Sequence, residues 1–218
     1  MSKNQDTSNL PNMKNYPGAV SLESTIKIWE EMKKNICLIN IGGKTKGLGF
    51  FCKIPFPDNE YLFSILITNY NTINREILEK EKEIFLLINN EKSPKQIKLG
   101  DRIKYTNEDY DITIVEIKED KDSIYSFFEL DENILIQETN KIIKQSMYIL
   151  QNSKENLYVS YGFLYDTVKN KDYNFIHFDC LKENSVGCPI LNMSNKLIGI
   201  NMKPDIENNY NIGLFINY

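Results

Sequence analysis

The chain has 218 residues, 41% apolar and 26% charged, the composition of an ordinary globular protein with a sizeable core. Its formal net charge of -4 excludes the basic footprint that non-specific nucleic-acid binding requires. No run approaches the roughly 18 apolar residues of a membrane span, and the polar start from Met1 to Asn9 does not read as a secretory signal. These features predict an intracellular, cytoplasmic protein with reduced thiols.

Residues 1–20 are polar, carry Pro11, Pro17 and Gly18, and predict a flexible arm. A helix is expected over 21–35, capped by Ser21 or Ser24. Leu22, Ile26, Trp29, Met32 and Ile36 fall on one helical face, which predicts Trp29 as the anchor of the helix on the body.

From Ile36 onward the pattern is that of short strands. Segments 36–41, 48–54, 61–68, 83–88, 102–105 and 112–117 predict a first β-rich unit over 36–122. Charged residues from Glu119 to Ser123 mark its end, and 123–145 reads as a linker. Segments 146–150, 157–163, 174–178, 189–192, 197–201 and 212–216 predict a second unit over 146–218. Beyond the first helix, only 74–82 and parts of the linker read as helical. Periodicity and turns thus predict an all-β sandwich or barrels.

Neither metal nor cofactor is expected. Cys37, Cys52, Cys180 and Cys188 form no paired zinc spacing. Glu76, Glu79, Glu81 and Glu83 match no calcium loop. The glycines at Gly42-Gly43 and Gly47-Leu48-Gly49 do not open a helix, so they are turns rather than phosphate loops.

Three ordered segments carry more information. Gly47-Leu48-Gly49-Phe50-Phe51-Cys52 is followed by Leu66-Ile67-Thr68-Asn69-Tyr70-Asn71. Next comes Tyr110-Asp111-Ile112-Thr113-Ile114, and then Asn184-Ser185-Val186-Gly187-Cys188-Pro189-Ile190 with Leu197-Ile198-Gly199-Ile200 behind it. In order and spacing these resemble the base, aspartate and nucleophile segments of the trypsin-like, chymotrypsin-fold serine proteases, in particular intracellular members from protists and fungi. The likeness runs from about Trp29 to the C-terminus. It implies two six-stranded antiparallel β-barrels with an N-terminal helix and arm. By the resemblance, Asn71 stands where the general base belongs, Asp111 at the orienting aspartate, and Val186 at the nucleophile.

The departures remove the chemistry. The mechanism needs a hydroxyl or thiol to attack the acyl carbon and a base to carry its proton. Asn71 has no group that titrates near neutrality, and Val186 has no nucleophilic atom. The only histidine, His177, maps to the second barrel and reads as structural. Asp111 is expected to take hydrogen bonds from the backbone or amide of Asn71. Asn184 and Val186 could still offer backbone N–H groups as an oxyanion-like nest.

The implied protein is a non-catalytic pseudoprotease that binds a protein or peptide partner. A candidate edge for strand addition is Gly199, Ile200, Asn201 and Met202. The alternatives are an atypical hydrolase using Ser185 or Cys188, and a decoy regulator of an active protease. The basic cluster of Lys92, Lys95, Lys98, Arg102 and Lys104 has acidic neighbours and reads as a solvated face.

Overall fold

The computed structural model describes residues 19–58, 60–88, 91, 93–136, 138–152, 156–168, 171–179, 185–205 and 210–216. The expected arm falls almost wholly outside this set, as do Lys92, Cys180 and Asn184.

Helix α1 spans Leu22–Asn35. Ser21 is its cap, its hydroxyl oxygen accepting from the Ser24 N–H at 3.1 Å. Glu23 in the first turn and Lys33 and Lys34 in the last suit the helix dipole. The buried face is Ile28, Met32 and Asn35. Of the expected face Met32 and Ile36 are buried, joined by Ile28 one turn before Met32, in place of Leu22, Ile26 and Trp29. Those three point outward, with Trp29 52% exposed and the Lys33 ammonium 3.0 Å over its ring centre. Trp29 is thus a surface residue rather than the anchor.

The first β unit contains β1 (Ile36–Ile41), β2 (Lys44–Pro55), β3 (Leu62–Thr68), β4 (Glu83–Ile88), β5 (Lys95–Lys98), β6 (Lys104–Asn107) and β7 (Ile112–Glu116). A short α2 (Arg75–Lys80) sits between β3 and β4. The strands run β5-β4-β1-β2-β3-β7-β6, and β8 (Phe128–Glu129) adds to β2 in parallel. Alternate residues on these strands feed two cores. Cys37, Ile39, Phe51, Leu66, Leu86 and Val115 fill the concave interior. Ile36, Phe50, Cys52, Ile65 and Ile67 join a second core with Ile28 and Met32 of α1. Strands covered on both faces lose polar alternation, which is why 64–68 is buried throughout.

This sheet is a half-barrel. Its outer strands β5 and β6 are not paired with each other, and Arg102 in the turn between them bridges the gap. Arg102 belongs to no solvated face: it is buried, forks onto Asp122 at 2.6 Å twice, and also donates to the carbonyls of Lys98 and Glu116. Asp122 ends α3 (Glu119–Asp122).

The second unit is a closed barrel, β10-β11-β14-β13-β12-β9. It comprises β9 (Ser146–Asn152), β10 (Leu157–Val168), β11 (Lys171–Phe178), β12 (Pro189–Asn192), β13 (Leu197–Asp205) and β14 (Tyr210–Phe215). Tyr148, Phe175, Ile190, Ile198 and Leu214 pack in the same core as Phe50 and Ile65, so one apolar mass joins the two units. The segment 123–145 is a fastener between them. Asp131 donates its N–H to Leu197 O at 2.9 Å, accepts from the Asn192 amide at 2.6 Å, and caps α4 (Glu132–Leu135) through Asn133 N–H at 2.8 Å. No helix among the described residues is long and apolar enough to cross a membrane.

Candidate functional site

β3 delivers the turn Asn69–Thr72. The Asn69 carbonyl accepts from the N–H groups of Thr72 and Ile73 at 3.1 and 3.2 Å. The Thr72 hydroxyl donates to the Asn69 side chain. Gly47 makes room for this turn: a Cβ there would lie 2.0 Å from the Thr72 hydroxyl oxygen. Thr68 donates to Leu48 O at 2.7 Å, and Thr113 donates to Ile73 O at 2.5 Å. These bonds tie both ends of the turn to the neighbouring strands.

The β6–β7 turn brings up Asp111, in the left-handed region at φ 45°. Its Oδ1 accepts from Asn71 N–H at 3.4 Å and from the Asn71 amide Nδ2 at 3.3 Å. Both bonds are long, and Asn71 itself is exposed. The Asp111 carboxylate therefore faces an amide. The amide satisfies it as a donor but has no proton to relay at neutral pH.

The third segment approaches from the second barrel. Gly187 adopts φ 85°, and a Cβ there would meet Asn69 at 3.6 Å, so the turn holding Val186 sits in van der Waals range of the turn holding Asn71. Gly187 N–H donates to Asn201 O at 2.8 Å, and Asn201 N–H donates to Cys188 O at 2.8 Å. The structure thus brings Asn71, Asp111 and the Val186 turn close to one another. Val186 is half-buried and brings only an isopropyl group.

The substitute nucleophiles are poorly placed. Ser185 is buried, and its Oγ accepts from the Asn201 amide at 2.9 Å rather than meeting an imidazole. Cys188 is fully buried. Burial pushes its thiol pKa far above the ordinary range, and the nearby Asp179 carboxylate adds to the rise. Burial does the same to Cys37 and Cys52. A thiol-reactive dye at pH 8 is expected to leave these three unmodified in the native protein and to label them after denaturation. Native-state labelling of Cys188, read by peptide mapping, would return it to the list of nucleophiles.

Most of the expected peptide edge is not free. Gly199 pairs with both Ile190 and Phe215, and Ile200 with both Pro189 and Leu214. Asn201 is bound on one side to Gly187 and Cys188 and pairs with Gly213 on the other. Closing the barrel uses both edges of that stretch. Only from Met202 does β13 run past the paired end of β12.

A buried polar chain behind the Val186 turn was not legible beforehand. The Ser185 carbonyl can only accept, so it orients the Asn201 amide with Nδ2 toward Ser185 and Oδ1 toward His177 Nε2, at 2.9 Å each. Nε2 therefore carries a hydrogen. The other ring nitrogen, Nδ1, lies 2.7 Å from Asp179 Oδ2 but off the N–H direction, so this is a contact with a charged group rather than a linear hydrogen bond. Asp179 Oδ2 also accepts from the Asn211 amide at 3.0 Å. The two-residue spacing of His177, in β11, and Asp179, just past its end, was the available signal.

Among the described residues, no group of three or more His, Cys, Asp or Glu side chains is arranged to hold a metal. No protein-family model and no curated protein matches the sequence. Solved structures do match. The product complex of catalytically active tobacco etch virus protease superposes at TM-score 0.58 with 13% identity, over 86% of this chain and 75% of that one. The inactive form of the Rv3671c protease, known from M. tuberculosis, gives 0.59 and 10%, over 92% and 93%. Deg5 gives 0.59 and 16%, over 89% of each chain. At these identities the likeness speaks to architecture, and with the strand order above it leads to one conclusion: this chain has the chymotrypsin-like double-barrel fold found in serine proteases.

Proposed function

We propose that the protein is a non-catalytic member of this fold that serves as a protein-interaction module. The observation that carries the reading is the Asn71–Asp111 pair. The orienting carboxylate is retained and hydrogen-bonded to an amide that cannot act as a general base. Val186 supports it, since its side chain brings no nucleophilic atom to the turn that faces Asn69.

Losing the nucleophile and base leaves at most the residual catalysis of backbone donors and binding, about 10³–10⁴-fold over water. Purified protein is therefore expected to show no labelling by a fluorophosphonate probe and no turnover of a mixed peptide library above a buffer control. Turnover that disappears in Ser185→Ala or Cys188→Ala would overturn the reading in favour of an atypical hydrolase.

A further inference from the structure

The apolar pocket between the two barrels has a specific shape and surround. It measures about 170 Å³ and is walled by Ile54, Ile114, Tyr105 and Tyr110 from the first unit and Tyr173 and Phe215 from the second. None of its lining residues is charged. An apolar cavity of about 150 Å³ takes a benzene-sized group, so this one accommodates one aromatic ring or one large aliphatic side chain.

Its rim is built from tyrosines that fold burial alone does not explain. Tyr105, Tyr110 and Tyr173 are 50%, 39% and 47% exposed. Tyr110 and Tyr173 meet edge to face across the barrel junction, ring centres 6.1 Å apart. Tyrosine offers a rigid apolar ring with a wet polar tip, the type of side chain that dominates protein interfaces.

The charge beside the pocket says what should bind. The β6–β7 turn that presents Tyr110 also carries Glu108, Asp109 and Asp111. Glu108 and Asp109 are exposed, and no ion pair among the described residues engages their carboxylates. An acidic turn against an apolar socket complements a segment with a bulky apolar side chain and cationic neighbours. A second copy of this chain, with net charge -4, is a poorer match.

We propose that this interbarrel pocket is a docking socket for a peptide segment of a protein partner, one that inserts a single Phe, Leu or Met side chain flanked by Lys or Arg. The proposal rests on the interaction reading above and names the chemistry of the partner.

The test is a polarisation titration of the full chain against a rhodamine-labelled, end-capped Ala-Lys-Phe-Lys-Ala peptide. Burying one such side chain is worth about ten- to a hundredfold in affinity. Saturable binding is expected, at least tenfold weaker when Phe becomes Ala and weaker again when both Lys become Glu. Ile114→Trp fills the socket and should cost at least tenfold. Tyr173→Ala, on the rim, keeps the test valid if Ile114→Trp does not fold. Glu108→Lys with Asp109→Lys should weaken binding and flatten its salt dependence. Absence of saturable binding, or equal binding by correctly folded socket variants, overturns the proposal. A dimer in sedimentation that the socket variants dissociate also overturns it, by assigning the pocket to a second copy. Hydrolysis by the wild-type protein would defeat the function proposed above while leaving this titration readable, so the two readings fail separately.

Discussion

Replacing Arg102 by Ala is expected to cost about 3–5 kcal/mol of stability, read as a lower midpoint in urea denaturation. Arg102 and Asp122 have side chains 2% exposed each, and the guanidinium makes a two-pronged bond to the carboxylate. Removing one partner of a buried pair leaves the other as an uncompensated charge, which is the source of a loss of this size. Here the damage extends further. The same guanidinium holds the carbonyl of Lys98, on edge strand β5, and that of Glu116, on β7. It spans the place where the first sheet fails to close on itself. Asp122 also accepts from Lys118 N–H at 2.8 Å, so the start of α3 would loosen with it.

Two further variants separate charge from geometry. Arg102→Lys keeps the charge but loses the fork and should fall between wild type and Arg102→Ala. Arg102→Met with Asp122→Leu removes both charges and should recover much of the loss. Since whole domains are stable by only about 5–15 kcal/mol, the single alanine variant would populate unfolded protein measurably. A midpoint within about 1 kcal/mol of wild type would mean that the half-barrel is held by its apolar core alone.

The fold was readable because its strands announce themselves. Ile36–Ile41, Glu83–Ile88 and Pro189–Asn192 are short apolar runs bounded by turn residues, and the structure has strands there with the same limits. β5 and β8 were not foreseen. β5 is the lysine-flanked edge Lys95–Lys98, and β8 is two residues long and held by its parallel pairing to β2. Neither carries an apolar pattern of its own. Trp29 misled for a related reason. Leu22, Ile26, Trp29, Met32 and Ile36 do share a helical stripe, but only its Met32–Ile36 end is buried, together with Ile28, in the core that holds Phe50. A hydrophobic face can be read from one sequence; which of two faces finds a partner is decided by packing.

The cleft was legible at the level of residue identity and not of environment. Motif order pointed to Asn71, Asp111 and Val186, and the structure supplies their mutual approach. The closed edges of Gly199 and Ile200 depend on strand order, which spacing does not encode. The burial of Arg102 depends on Asp122, twenty residues away and within a charged stretch that reads as surface. The interbarrel pocket draws its walls from five separate stretches of chain, each unremarkable by itself.

His177→Leu is expected to lower stability by roughly 1–3 kcal/mol, with the greatest local loosening at the Val186 turn. The imidazole is fully buried between the Asn201 amide and the Asp179 carboxylate. A leucine of similar bulk leaves the Asn201 Oδ1 without its donor and removes the ring that lies against a buried carboxylate. An abandoned buried polar group costs about 1–3 kcal/mol, and the Asn201 Oδ1 is the one left here, Asp179 losing a close contact and not a linear hydrogen bond. Asn211 still donates to Asp179, which keeps the loss below that of an isolated charge. The consequence reaches the turn because Asn201 is a shared strut. Its side chain holds both the carbonyl and the hydroxyl of Ser185, and its backbone holds Gly187 and Cys188. Hydrogen exchange of the Gly187 amide should therefore accelerate by more than the global loss of stability accounts for. Asn201→Ala should reproduce that local effect with His177 still in place. If His177→Leu costs less than about 0.5 kcal/mol and leaves the Gly187 amide as protected as in wild type, the chain from Asp179 to Ser185 is not what holds the turn. The rigidity of the turn would then come from Gly187 and the β12–β13 pairing alone. If both effects appear, the Val186 turn is kept in shape by a polar network inside the second barrel, independently of any chemistry at Asn71.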